Sequence, residues 1–363
     1  MATQREIRFC KSADNVDLAM ALYGAGPPLV KAATWLTHVE FDQTSPFDRA
    51  LIHTFEPHYR YVTYDARGCG LSQRQVDEIS LDSWVRDLET VVDALGLECF
   101  PLLGISQGAA IAVAYAARHP ERVSRLILLN GFASSYFAAG TLDPKVLDEA
   151  ETLLKIVELG WGSASAAFRQ VFVAKFLPDG TAEQWRAFDE LQKATVAPEM
   201  AARCLRAMFS IDVKQEAARI TCPTLALHVK GDQMIHFGQG RRLAAAIPGA
   251  RFVPLEGSNH IPFETEPAWA AFVKEMRAFL GTAVHSAPTR SPLTSRQRQV
   301  LQRVAAGLTD KQIARALDLS PRTVEMHVAG AMKALDGKTR AAAVGTATEL
   351  GLLDGPDLTP PQR

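Results

Sequence analysis

The sequence predicts an α/β protein: a parallel sheet covered on both faces and carrying a helical lid, followed by a small all-α domain of four helices. Three observations lead there. Short apolar strands alternate with helices every few dozen residues over roughly the first 280 positions, the rhythm of a parallel sheet with crossover helices. That rhythm is interrupted from about 132 to 217 by purely helical patterning. After a small, polar, Pro-containing stretch at Gly281–Pro292, four short capped helices follow.

In order, Glu6–Cys10 and Leu18–Tyr23 read as paired strands, and Leu29–Ala33 as a short buried strand running into Thr34-Trp35-Leu36-Thr37-His38. A helix near Phe47–Phe55 leads to a strand at Tyr59–Tyr64 and the loop Asp65–Ser72. Leu81, Val85, Leu88, Val91, Val92 and Leu95 recur at helical spacing, with Gly96 as the stop. A strand at Phe100–Leu103, a helix at Ala109–Arg118 and a strand at Val123–Leu129 follow. The lid then supplies many large apolar residues, among them Phe132, Trp161, Phe172, Phe176 and Phe188. Strand rhythm resumes with Thr224–Val229, a helix near Gly240–Ala246, a strand at Ala250–Pro254 and a helix at Trp269–Phe279. The expected domains are thus 1–280 (lid about 132–217), a linker at 281–292, a helical domain at 293–353 and a flexible tail at 354–363.

Composition narrows the class. Hydrophobic residues at 47% and charged residues at 22% describe an ordinary globular chain. The five cysteines (Cys10, Cys69, Cys99, Cys204, Cys222) show no C-x-x-C pair and no histidines at metal spacing, so neither a disulfide framework nor a metal or other cofactor is expected. No apolar run reaches membrane-spanning length, and a cytoplasmic location is the expectation.

The chemistry concentrates at Gly104-Ile105-Ser106-Gln107-Gly108, a G-x-S-x-G turn between a strand and a small-residue helix. Such a nucleophile elbow forces unusual dihedrals on the serine and aims a helix N-terminus at it. A Gly-Ser loop without chemistry is the competing reading; the flanking strand and helix favour the elbow. Ser106 then needs a base and an orienting acid, in the chain order serine, acid, histidine. Asp232 follows the strand Thr224–Val229, and His260 follows the strand near Ala250–Pro254, both at strand ends where active-site loops gather. A turn role for Asp232 and a capping or core role for His260 are the alternatives. After Leu129, the other place for an acid, stands Asn130.

These residues, with Asp65-Ala66-Arg67-Gly68-Cys69-Gly70-Leu71-Ser72 in the pattern D-x-R-G-x-G-x-S, resemble the α/β-hydrolase fold family over about residues 6 to 280. The resemblance implies ester, amide or C–C bond chemistry on small molecules, with Ser106, His260 and Asp232 as the catalytic triad. It also implies oxyanion donors at the Leu36 and Gln107 amides. Many members carry His-Gly after the third strand; here Thr34-Trp35 stands there. A lost oxyanion donor lowers rates by roughly 10²–10³, so the site can serve binding rather than turnover. Trp35, Ile105 and Phe132 are the candidate pocket residues for a small apolar ligand.

In the second domain, Thr294 or Ser295 caps Arg296–Ala306, Thr309 caps Asp310–Leu317, and Ser320 with Pro321 starts Arg322–Leu335; Thr339–Glu349 is last. The second and third of these form a helix-turn-helix. Between Leu293 and Leu353 nine Lys/Arg face five Asp/Glu, so this part carries about +4 while the remainder, given the net charge of -1, carries about -5. A helical protein-interaction module is the alternative to DNA binding. Leu293–Leu301, Gly307–Ala314 and Leu319–Val328 closely resemble the LuxR-type DNA-binding domain. The resemblance implies DNA as partner and a homodimer joined through Thr339–Glu349. It places Glu325, Met326 and Ala329 at base edges and Arg322, Thr323, His327 and Lys333 at phosphates. The expected function is a transcriptional regulator sensing a small apolar ligand, with slow hydrolysis of that ligand left open. An active serine hydrolase with an appended regulatory domain is the alternative, and a protein-docking first domain a third reading.

Overall fold

The computed structural model describes residues 5–138, 143–165, 167–281, 293, 295–317, 319–335, 337, 339–349 and 353. The chain divides into two compact units, Met1–Val284 and His285–Arg363. The expected linker beyond Gly281 and the tail at 354–363 lie outside the described residues.

The first unit is built from β1 (Glu6–Lys11), β2 (Asp17–Tyr23), β3 (Pro28–Lys31), α1 (Pro46–Phe55), β4 (Arg60–Tyr64), α2 (Leu81–Ala94), β5 (Phe100–Ile105), α3 (Gln107–Arg118) and β6 (Val123–Leu129). Among the described residues five lid helices follow: α4 (Pro144–Gly160), α5 (Ala167–Phe176), α6 (Ala182–Thr195), α7 (Pro198–Phe209) and α8 (Lys214–Ala217). The sheet resumes with β7 (Thr224–Val229), α9 (Phe237–Ala246), β8 (Arg251–Leu255) and α10 (Pro267–Leu280).

Among the described residues eight strands form one sheet in the order β1-β2-β4-β3-β5-β6-β7-β8. β2 runs antiparallel to both neighbours, and all other pairings are parallel. Alternation along the central strands sorts their side chains. Leu103, Ile105, Ile127, Leu129, Leu225 and Leu227 pack with Leu51 and Phe55 of α1 and Phe272 and Met276 of α10. Leu102, Leu126 and Leu128 go to the opposite core with α2 and α3. The period of two thus gives each face its own apolar layer.

The lid is one insertion tied shut where it begins and ends: Ser134 bridges Asp212, and the Ser135 N–H donates to Ile211 O at 2.9 Å. Inside it, buried Arg169 pairs with Asp189 (2.5 Å) and donates to the Trp161 and Ser163 carbonyls. Those bonds engage Nε and Nη1 of the buried guanidinium, while its Nη2 has no hydrogen-bond partner among the described residues. The Arg67 of the D-x-R-G loop is equally buried; it holds Asp87 on α2 at 2.7 Å and Asp14 at 2.6 Å, so its role is to lock that loop.

The second unit contains α11 (Ser295–Ala305), α12 (Asp310–Leu317), α13 (Pro321–Ala334) and α14 (Arg340–Glu349). Val300, Ile313, Ala314, Val324 and Val328 form one small core, and Leu301, Ala331, Leu335, Ala343 and Ala347 another. Ser320 caps α13, its Oγ accepting from the Thr323 N–H at 3.1 Å. A bidentate Arg340–Asp310 pair (2.6 and 2.8 Å) ties α14 to the start of α12.

Candidate functional site

The turn between β5 and α3 is tighter than its residues suggest. The strand continues to Ile105 and the helix starts at Gln107, so Ser106 alone makes the turn, at φ 56° and ψ -124°. A non-glycine residue in that region is strained by about 1–3 kcal/mol. Close packing explains the two glycines. A Cβ on Gly104 would lie 2.6 Å from Ala109 Cα, and one on Gly108 would lie 2.9 Å from the Ala32 carbonyl oxygen. Gly108→Ala should therefore lower stability by about 1–3 kcal/mol, read as a drop in the urea midpoint of the full chain. An unchanged midpoint would show that the β3 end can retreat.

Asp232 and His260 meet in the loops after β7 and β8. The His260 Nδ1–H donates to Asp232 Oδ2 at 2.7 Å, and both side chains are fully buried. Asp232 Oδ1 accepts from the Met234 and Ile235 amides at 2.8 and 3.0 Å. Burial pushes the Asp232 carboxyl up, but the His260 charge and hydrogen bonds from His228, His260 and the Ile235 amide outweigh it and hold the carboxyl well below its usual range. With Nδ1–H on the carboxylate, His260 presents Nε2 as a base; that atom is buried and without a hydrogen-bond partner. Asn130, in the position where an acid was sought, is a strut instead. At φ 50° its side chain donates to the His260 carbonyl and accepts from the Val229 N–H. His228 also approaches the acid, with Nε2 3.5 Å from Asp232 Oδ2.

Ser106 opens into a cavity of about 60 Å³ lined also by Trp35, Leu36, Ile105, Gln107, Phe176, Phe188 and Ile261, the residue after His260. Lid and base meet through aromatics. Trp35 contacts Trp161 and Phe172 (ring centroids 5.2 and 5.7 Å), Phe172 contacts Phe176 (4.9 Å), and Phe176 stands edge-on to His260 (4.9 Å). The His260 N–H also donates to the Phe176 carbonyl at 2.8 Å, so the end of α5 positions the histidine loop directly. Phe176 and Phe188 are the lid aromatics at the cavity; Phe132 is buried in the adjoining core and is not among the residues lining it.

Leu36 and Gln107 line the cavity, and Gln107 begins α3, where the first amides lack intrahelical acceptors. The Gln107 side chain adds a contact that a backbone reading misses: its Oε1 accepts from the Trp35 N–H at 3.1 Å. That amide is already engaged.

Residues 41–267, more than half of the chain, match the family model described as alpha/beta hydrolase fold. The chain belongs to that family. Residues 291–347 match the bacterial regulatory proteins of the luxR family, so this α/β hydrolase carries a LuxR-type helix-turn-helix domain, which implies DNA binding. Similar proteins include an AB hydrolase superfamily protein, YisY, of Bacillus subtilis (strain 168), 27% identical over 71% of this chain and 94% of the relative. An esterase from Exiguobacterium antarcticum superposes with a TM-score of 0.65 at 24% identity, over 77% of this chain and 99% of its own. A thermophilic esterase from Thermogutta terrifontis gives 0.63 at 20% identity, over 77% and 100%.

In the helix-turn-helix unit of this hydrolase, Val324, Val328 and Ala331 face the core, which leaves Arg322, Glu325, Met326, Ala329 and Lys333 exposed on α13. Thr323 and His327 are half-buried at its margins, and the Thr323 hydroxyl is 2.7 Å from Ser320 Oγ in the cap. Met326 is 62% exposed, a large apolar side chain on the same face as two cations. Among the described residues no helix is long and apolar enough to cross a membrane.

Proposed function

We propose that this chain is a DNA-binding transcriptional regulator whose hydrolase unit binds a small, largely apolar ligand and turns it over slowly. The observation that carries this reading is the exposed row of Arg322, Glu325, Met326, Ala329 and Lys333 on α13 of a LuxR-type domain. Glu325, Met326 and Ala329 meet base edges, Met326 suiting a thymine methyl. Arg322 and Lys333 contact phosphates, with Thr323 and His327 beside them. Two copies paired through α14 present two such helices, acting in the cytoplasm.

In the hydrolase unit, Ser106 Oγ attacks the ligand carbonyl, His260 Nε2 takes its proton, and Asp232 holds the imidazole. The Leu36 and Gln107 amides hold the oxyanion. The ligand carries an ester or related acyl bond; the esterases among the similar folds support that class. Turnover is slow because the aromatic lid packs over the site, Phe172 and Phe176 running from Trp35 to His260. The intact Asp232–His260 contact favours the second reading, an efficient serine hydrolase with a regulatory domain appended.

The test couples the two units. Duplexes bound by the full chain are selected from a random pool, and affinity for the best is measured with and without small esters that protect Ser106 from a phosphonate probe. A sensor changes DNA affinity by about 5–150-fold on ligand binding. Protecting esters that leave DNA affinity unchanged would favour the second reading.

A further inference from the structure

Besides Thr34 and Thr37, three polar groups at the cavity have no part in the triad: Lys31, Asp48 and the side-chain amide of Gln107. Lys31 lies on β3, an interior strand of the sheet, and is only 4% exposed. Its Nζ is 2.7 Å from Asp48 Oδ1 on α1, and Asp48 Oδ2 accepts from Ser45 Oγ at 3.2 Å. Exchanging a buried ion pair for apolar residues of similar volume is often neutral or stabilising, so fold stability does not account for the pair. The ammonium has three donors, and Asp48 is the hydrogen-bond acceptor it meets. Gln107 Nε2 is buried without a partner, although its Oε1 is engaged by Trp35. Unused donors and a carboxylate therefore border the same space as Ser106.

The charge around them selects the ligand. Lys31 is balanced by Asp48 and feels Asp42 and Asp65 nearby. Burial holds the Asp42 carboxyl well above its usual range and pushes Asp65 up to about 7. A free carboxylate entering here finds one cation already matched by acids. A group that both donates and accepts without net charge finds complementary partners on Lys31 and Asp48.

We infer that the cavity beside Ser106 accepts a short acyl compound whose far end is an uncharged hydrogen-bonding group of the amide type, held by the Lys31–Asp48 pair. This rests on the reading of the cavity as a ligand site and is independent of turnover and of DNA coupling.

The test measures binding calorimetrically to the full chain carrying Ser106→Ala, so that hydrolysis does not intervene. Three methyl esters of one shape are compared: the monoamide of monomethyl glutarate, its isostere ending in isopropyl, and monomethyl glutarate. The amide should bind about ten-fold more tightly than either. In Lys31→Met/Asp48→Leu that preference should vanish. Asp48→Asn leaves Lys31 unbalanced and should turn the preference toward the carboxylate by about ten-fold, a reversal that a merely structural pair would not produce. Equal binding of the amide and isopropyl esters, or of none of the three, overturns the inference. So does an amide preference that persists in a folded double variant or, if that variant does not fold, in Asp48→Asn.

Discussion

Ser106→Ala should abolish labelling of the full chain by a fluorophosphonate and lower hydrolysis of short-chain nitrophenyl esters by at least about 10³-fold. The wild-type chain should label if, as proposed, His260 takes the Ser106 proton. The backbone at φ 56° holds the serine at the start of α3, and Asp232 orients an imidazole whose Nε2 is free to accept. Labelling with little ester turnover would locate the weakness in the oxyanion pocket, at the Leu36 and Gln107 amides proposed as its donors. A wild-type chain that neither labels nor hydrolyses would refute the catalytic roles given to Ser106 and His260 and leave the cavity as a receptor site.

The turn at Ser106 and the meeting of Asp232 with His260 were legible in the sequence for different reasons. Ser106 lies in a local motif, since strand, turn and helix are contiguous and the glycines at 104 and 108 mark close approaches within a few residues or to one neighbouring strand. Asp232 and His260 follow from topology: they lie in the loops after β7 and β8, and parallel strands deliver their ends to one edge. What stayed hidden depends on side chains meeting across the fold. Asn130 looked like an absent acid, yet it links β7 to the His260 loop. Nothing in the order of residues tells that the Gln107 side chain reaches the Trp35 amide. Lys31 did leave a trace, a lysine inside an otherwise apolar strand, but its partner Asp48 is assigned only once α1 packs on the sheet. Among the lid aromatics, periodicity cannot separate Phe176 at the cavity from Phe132 in the core.

Truncation after Gly281 should remove DNA binding altogether, while the full chain binds a selected duplex with an affinity that falls steeply as salt rises. The physical basis is the charge division, about +4 in the helical domain against about -5 elsewhere: the larger unit offers a polyanion repulsion rather than contact. Within the domain the exposed residues of α13 should separate by kind. Arg322→Ala and Lys333→Ala should each weaken binding to all sequences and reduce the logarithmic salt slope by about one. Substitutions at Glu325, Met326 or Ala329 should leave the slope unchanged and alter which duplexes are selected. The Arg340–Asp310 pair separates folding from contact. Arg340→Ala loses a link between α14 and α12, so its effect should appear in thermal stability of the domain as well as in affinity. Retention of duplex binding by the truncated chain would place the DNA-binding surface on the hydrolase unit and overturn the division of labour proposed for the two units.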